Sequence, residues 1–177
     1  EQLYVAIIGS REATSYSLEA MNFIIPPLIK DKVVIVSGLA KGADAMAHAT
    51  THNLGGKTIA VVGHGLFPRY PKENRVLFHT MEQHQLILTE YPPYVTPKKW
   101  TFPMRNRIIS GLSHAVVVTE AKEKSGTVST MQHAIDNGKE VFCVPGSISS
   151  ELSVGPHLLM LEGAKPVWNG LQILEEL

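Results

Sequence analysis

Short, continuously apolar runs recur along the chain, each followed by Gly or Ser and then by a segment of helical spacing. The runs are Leu3–Ile8, Val33–Val36, Thr58–Val62, Leu86–Leu88, Ala115–Val118 and Val141–Val144. Their length and content of β-branched residues predict strands buried on both faces. Between them, Tyr16–Lys30 carries Leu18, Met21, Ile25 and Leu28 at helical intervals, with a break or kink expected at Pro26-Pro27. Asp44–Asn53, Lys72–Gln83, Thr127–Asn137 and Pro156–Leu161 are the other predicted helices. Strand and helix in steady alternation predict an α/β architecture of three layers, with a mostly parallel sheet, right-handed crossovers and helices on both faces. Thr89–Pro103 is the longest irregular piece and a candidate functional loop.

In such a sheet, ligands sit at the carboxyl ends of the strands, where the next helices begin. The Gly/Ser clusters fall there. Gly9-Ser10-Arg11 follows the first strand, and Ser37-Gly38-Leu39-Ala40-Lys41-Gly42 the second. Gly63-His64-Gly65 follows the third, Lys124-Ser125-Gly126-Thr127 the fifth, and Pro145-Gly146-Ser147 the sixth. Glycine admits close backbone approach to an anion, and a helix N-terminus adds free N–H groups and a positive dipole end. Arg11, Lys41 and Lys124 bring full charges to three of these turns. A row of such sites suits a strand of repeated phosphates better than one nucleotide does.

The stretch Trp100-Thr101-Phe102-Pro103-Met104-Arg105-Asn106-Arg107-Ile108-Ile109 adds aromatic rings, with a turn expected at Pro103. Lys98, Lys99, Arg105 and Arg107 fall within ten residues of one another, around Trp100 and Phe102. Cations for phosphate and a ring for stacking suit a polyanion that carries flat bases. The same residues also suit a loop entering a core helix, with the arginines paired to local carboxylates.

Composition narrows these readings. At 177 residues with 44% apolar and 18% charged residues, the sequence has the size and make-up of one globular domain. Lysine plus arginine equals aspartate plus glutamate, 16 of each, so an anion site must come from local placement of charge. The one cysteine, Cys143, lies in an apolar run and has no internal disulfide partner, which fits a reducing, cytoplasmic setting. No apolar run approaches membrane-spanning length, so no membrane association is expected.

Motifs for other chemistries fail on spacing. Gly55-Gly56-Lys57-Thr58 precedes a strand and has Thr51 where a phosphate loop needs its first glycine. Gly63-His64-Gly65 meets Pro68 where a dinucleotide fingerprint needs a third glycine. His48 and His52 share a helix face, but Ala49 stands where a zinc protease needs glutamate, so they read as packing or surface histidines. No nucleophile elbow surrounds Ser147, Ser149 or Ser150. Glu90 and Glu120 read as acceptors for N–H groups or arginines. No catalytic set, metal site or cofactor is expected.

The motifs together resemble those of the DNA-processing protein A (DprA/Smf) family, in its Rossmann-like domain. They are Gly9-Ser10-Arg11, Ser37 to Asp44 with Ala47-His48, Tyr70-Pro71 before Asn74, Glu90-Tyr91-Pro92, Phe102-Pro103-Met104-Arg105-Asn106-Arg107-Ile108-Ile109, Glu120-Ala121 with Lys124 to Thr127, and Val144-Pro145-Gly146. They come in the family's order and span nearly the whole chain. Ala43 departs from the family's usual isoleucine. The resemblance implies one Rossmann-like domain over residues 1–177, with an N-terminal helical domain and a C-terminal winged-helix-like domain of the family lying outside it. It implies a homodimer that binds single-stranded DNA and loads the RecA recombinase onto incoming DNA in natural transformation, with no enzymatic activity. Arg11, Lys99 and Phe102 match the family's DNA-pocket residues. With the edge clusters, the full candidate set is Gly9, Ser10, Arg11, Ser37, Gly38, Lys41, Lys99, Phe102, Arg105, Asn106, Arg107, Lys124, Ser125, Gly126 and Thr127. The apolar segments Leu152–Leu161 and Leu171–Leu177 are expected to serve the dimer.

A second reading stays open: a nucleotide-binding or nucleoside-monophosphate-processing enzyme of the phosphoribohydrolase type. Its P-G-G-x-G-T-x-x-E motif is not met, because Pro145-Gly146 continues as Ser147-Ile148-Ser149.

Overall fold

The computed structural model describes residues 1–177. Seven strands form a single sheet in the order β4-β3-β2-β1-β5-β6-β7. They are β1 (Tyr4–Ile8), β2 (Val34–Ser37), β3 (Thr58–Val61), β4 (Leu86–Leu88), β5 (Ala115–Val118), β6 (Glu140–Cys143) and β7 (Lys165–Pro166). Every neighbouring pair is parallel. The chain leaves β1 toward β4, then returns to lay β5 on the other side of β1, which creates a crossover point beside β1.

Side-chain alternation along β1 shows how the layers form. Val5 and Ile7 enter the core under α1 (Ser15–Lys30), α2 (Ala43–Asn53) and α7 (Gly170–Leu174). Ala6 and Ile8 enter the core on the opposite face, under α4 (Thr101–Leu112), α5 (Gly126–Asp136) and α6 (Val154–Leu161). A period of two thus serves two apolar layers, which is why the strands read as continuous apolar runs. A smaller core unites Phe78 and Met81 of α3 (Arg75–His84) with Leu39, Ala60 and Val62.

Three local expectations change. Helix α1 runs without interruption through Pro26 and Pro27. The carbonyls that lose a partner belong to Asn22 and Phe23, which are exposed, so water can satisfy them. Pro103 is the third residue of α4 instead of a turn before it. In a first turn the missing N–H has no intrahelical acceptor to lose. Finally, β7 and α7 were not foreseen, and Ile173 of α7 is fully buried against α1. Part of the C-terminal apolar content therefore belongs to this chain's own core. No helix is long and apolar enough to cross a membrane.

Candidate nucleic-acid interface

The turns after β1, β2, β3 and β5 meet the start of α4 around a cleft of about 830 Å³ at the carboxyl edge of the sheet. Only 6 of its 27 lining residues are hydrophobic, so it is built for a polar ligand. Arg11, Lys41, Lys72, Lys99 and Lys124 line it, are exposed, and have no carboxylate within ion-pairing distance. A sixth cation, Lys122, is held by Glu12 at 3.0 Å, and this contact lowers the Glu12 pKa and raises that of Lys122. A chain of zero net charge has thus gathered positive charge around one cleft in excess of the lining carboxylates Glu12, Asp44 and Glu73, a self-repelling arrangement that an anion relieves. Helix α5 opens onto the same cleft at Gly126 and Thr127. Its first-turn N–H groups have no intrahelical acceptor. Ser125 caps it by accepting from the Val128 N–H at 3.1 Å.

The aromatic component is Phe102. Its ring lies 6.0 Å from that of Tyr70, and the Arg105 guanidinium sits 5.7 Å from the ring centroid. Both rings line the cleft beside Lys99.

The arginines of α4 divide. Arg105 is buried and its Nη1 donates to the carbonyls of Gly38 at 2.6 Å and Val61 at 2.9 Å. Asp44 lies across Gly38 from it and accepts from the Gly38 N–H at 3.1 Å. Gly38 fits between them because it lacks a side chain: a Cβ there would meet the Arg105 Nη1 at 2.5 Å and the Asp44 Oδ2 at 2.6 Å. Burial pushes the Asp44 carboxyl up, while Arg105 and the N–H groups of Ala40, Gly38 and Gly9 pull it down. Burial likewise lowers the Arg105 pKa, opposed by Asp44. Arg107 turns away from the cleft and pairs with Glu90 at 2.6 Å.

The other candidates also sort by geometry. Gly9, Ser10, Gly38, Asn106, Ser125, Gly126 and Thr127 line the cleft with the cations. Ser37 does not: it is fully buried and its hydroxyl donates to the Ile7 carbonyl at 2.6 Å, across the β1–β2 pairing. Glu120 anchors the start of α1, accepting from the Thr14 N–H at 2.9 Å and the Ser17 hydroxyl at 2.6 Å. His48 is a packing residue. Its Nε2 accepts from the Leu39 N–H at 3.1 Å and its Nδ1 meets the Thr58 hydroxyl at 2.7 Å. It thereby fixes Leu39 at φ 52°, a left-handed conformation uncommon for a residue with a side chain. Burial lowers the His48 pKa to about 3, with Arg105 adding to the effect. Sequence reasoning left out Tyr70, Lys72 and Lys122 as site residues. Tyr70 had a signal in the Tyr70-Pro71 motif, whereas Lys72, which opens a short 3-10 turn, and Lys122 had position at the carboxyl edge alone.

The profile of the DNA recombination-mediator protein A family matches residues 1–177. The chain belongs to that family. The DNA processing protein DprA of Bacillus subtilis is 44% identical over 173 residues, which cover 98% of this chain and 58% of the relative. The structure of DprA from Streptococcus pneumoniae superposes with a TM-score of 0.92 at 44% identity, covering 99% of this chain and 62% of that one. A DNA processing protein A structure from Helicobacter pylori superposes with a TM-score of 0.87 at 33% identity, over 98% of this chain and 79% of that one. That structure concerns the Helicobacter protein's single-stranded DNA binding mode. The chain spans about three-fifths of the length of the Bacillus relative, so it corresponds to one part of DprA proteins. Every segment that carried the DprA/Smf resemblance lies within the matched residues.

Proposed function

We propose that this chain binds single-stranded DNA, with little regard to sequence, in the cleft at the carboxyl edge. Arg11, Lys41, Lys99 and Lys124 contact phosphates, the N–H groups of Gly126 and Thr127 assist them, and Phe102 stacks on a base. The observation that carries the reading is the set of unpaired cations beside an accessible aromatic ring in one polar cleft. The single-stranded DNA binding of the Helicobacter relative supports it. The bound strand would be handed to a RecA-type recombinase, in keeping with the family's description as recombination mediators. The reading involves binding without turnover: phosphate and ring contacts suffice for it, and Glu120 is occupied by the start of α1.

Fluorescence anisotropy with oligo-dT across a salt series tests the cleft. Arg11→Ala and Lys99→Ala should each weaken binding for all sequences and reduce the salt slope by about 0.7, the value for one phosphate contact on a single strand. Phe102→Ala should cost about 1–3 kcal/mol with little change in slope, because stacking releases few counterions. Binding by Arg11→Ala and Phe102→Ala equal to that of the parent would place the DNA elsewhere.

The same proposal includes a homodimer. Ile148, Leu161, Trp168 and Leu171, all from the β6–β7 end of the fold, remain exposed after the C-terminal segment has supplied Leu159 and Ile173 to the core. An isologous contact would cover them. Light scattering at tens of micromolar should give twice the 19.4 kDa chain mass, and Leu161→Glu with Leu171→Glu should return it to one. A parent of monomer mass under these conditions would remove the dimer from the proposal.

A further inference from the structure

An aromatic shelf stands beyond the cleft, on the loops after β3 and β4. Phe67 and Tyr94 stack with ring centroids 4.7 Å apart and planes inclined by 25°, yet they are 55% and 78% exposed. Two large rings packed on each other and left open to water bury little apolar surface for this chain's own stability. The loops that bear them are fastened together. The Gly65 N–H donates to the Val95 carbonyl at 2.8 Å, the Phe67 N–H to the Pro93 carbonyl at 3.0 Å, and the Thr89 hydroxyl to the His64 carbonyl at 2.6 Å. Gly65 presses against the Pro92 and Pro93 carbonyls so closely that a Cβ would collide with both. The rings are therefore displayed on a braced platform, and little ordering entropy remains to be lost when something binds them.

The position of the shelf indicates what it binds. Tyr70, whose ring is 6.0 Å from that of Phe102 in the cleft, is three residues from Phe67, so the two backbones are at most about 11 Å apart. On the other loop, Lys98 and Lys99 follow Tyr94 closely, are exposed and have no carboxylate partner. Trp100 comes next, 59% exposed and edge-on to Tyr91 with centroids 6.2 Å apart. Flat ring faces and free cations thus continue from the cleft toward the β4 edge of the sheet. The only acid nearby on this loop, Glu90, is engaged by Arg107.

We propose that Phe67 and Tyr94 form a second base-stacking subsite, which carries a single strand onward from the Phe102 cleft over the β4 edge. The inference rests on the reading of the cleft as a single-stranded DNA site. A base extends the Phe67–Tyr94 stack on its open face, and Lys98 meets the intervening phosphate. The occupant is a single strand because its bases are already unpaired and present their faces, whereas a duplex keeps them stacked.

Oligonucleotide length provides the test. Oligo-dT of about 5 and about 15 nucleotides spans the usual range of single-strand sites. Tyr94→Ala, and Phe67→Ala with Tyr94→Ala, should weaken the longer oligonucleotide by roughly 5-fold or more while leaving the short one within about twofold of the parent. Tyr94→Phe, which keeps the ring, should bind as the parent does. Unchanged binding of the longer oligonucleotide by the double variant overturns the subsite, and would instead fit a protein partner on the shelf. Equal loss on both lengths also overturns it, since the rings would then be shaping the cleft. Failure of the underlying reading looks different: Arg11→Ala and Phe102→Ala would leave both lengths bound as tightly as the parent does. A direct readout comes from Trp168→Phe, which leaves Trp100 as the one tryptophan. Its fluorescence should change with the longer oligonucleotide and not with the short one, and an unchanged signal with both would count against the path.

Discussion

Arg105→Ala should unfold this protein more readily than alanine at any of the exposed cleft cations Arg11, Lys41, Lys72, Lys99 and Lys124, lowering stability by about 3–5 kcal/mol, the usual cost of stranding a buried charge. Removing the guanidinium leaves the Gly38 and Val61 carbonyls without their donor and Asp44 without its cation, all of them buried at the base of the cleft. For a chain of this size the melting temperature should fall by roughly 6–20 °C. Arg105→Lys keeps a charge near Asp44 but cannot reproduce the planar donor, so its loss should be smaller. Thermal melts measure the effect, and oligo-dT affinity measured well below the melting temperature separates the roles. Near-parental affinity in the folded fraction would mark Arg105 as a support for the Gly38 turn. An unchanged melt with lost affinity would instead make it a phosphate contact.

Lowering the pH from 7 to 5 should cost the parent about 2 kcal/mol of stability through His48 alone. The folded protein keeps this imidazole neutral, with a pKa of about 3, whereas the unfolded chain takes up the proton at the ordinary value of 6.5. A base depressed in the fold contributes its full stability above the unfolded pKa and loses it as pH falls toward the folded one. Within that window the slope is about 1.4 kcal/mol per pH unit. Burial causes the depression and the Arg105 charge adds to it; Nε2 also receives the Leu39 N–H, so a proton there would displace the hydrogen bond that holds the left-handed residue. Urea titrations of the parent and His48→Gln at both pH values isolate the effect, because the remaining titrating groups are common to both. The variant should start less stable and show a shallower dependence on pH. Parallel slopes would mean that His48 is protonated in the fold.

The inner strands β1, β2, β3, β5 and β6 were legible because both of their faces are largely buried, and such burial writes itself as unbroken apolar runs, whereas the two-residue edge strand β7 left no such run. The carboxyl-edge turns were legible for a related reason, since parallel topology sends every such turn to the same edge. The roles of individual side chains within those turns were harder to read. Ser37 has the composition of an anion-binding turn, yet its hydroxyl is consumed by the neighbouring strand. Arg105 and Arg107 look equivalent in the sequence but lie about 200° apart around a helix. Arg105 falls four residues before the buried Ile109, and that spacing was the available sign that it points inward. The continuity of α1 through two prolines depended on which face of the helix meets water. The aromatic shelf escaped notice because Phe67 and Tyr94 come from different loops and meet only after β3 and β4 pair.

The span from Gly38 to Arg105, 67 residues along the chain, has a consequence for how occupancy should be felt. The cleft takes one wall from turns on either side of the β1 crossover and another from α4, so neither half of the molecule can hold a strand by itself. On the proposed reading, any partial opening that lifts α4 off the β2 turn would have to release a strand bound in the cleft. A bound strand should therefore act as a clasp, slowing amide exchange together in α4, in the turn at residues 38–42 and in the start of α5, while leaving the distant β7–α7 end to exchange at its own rate.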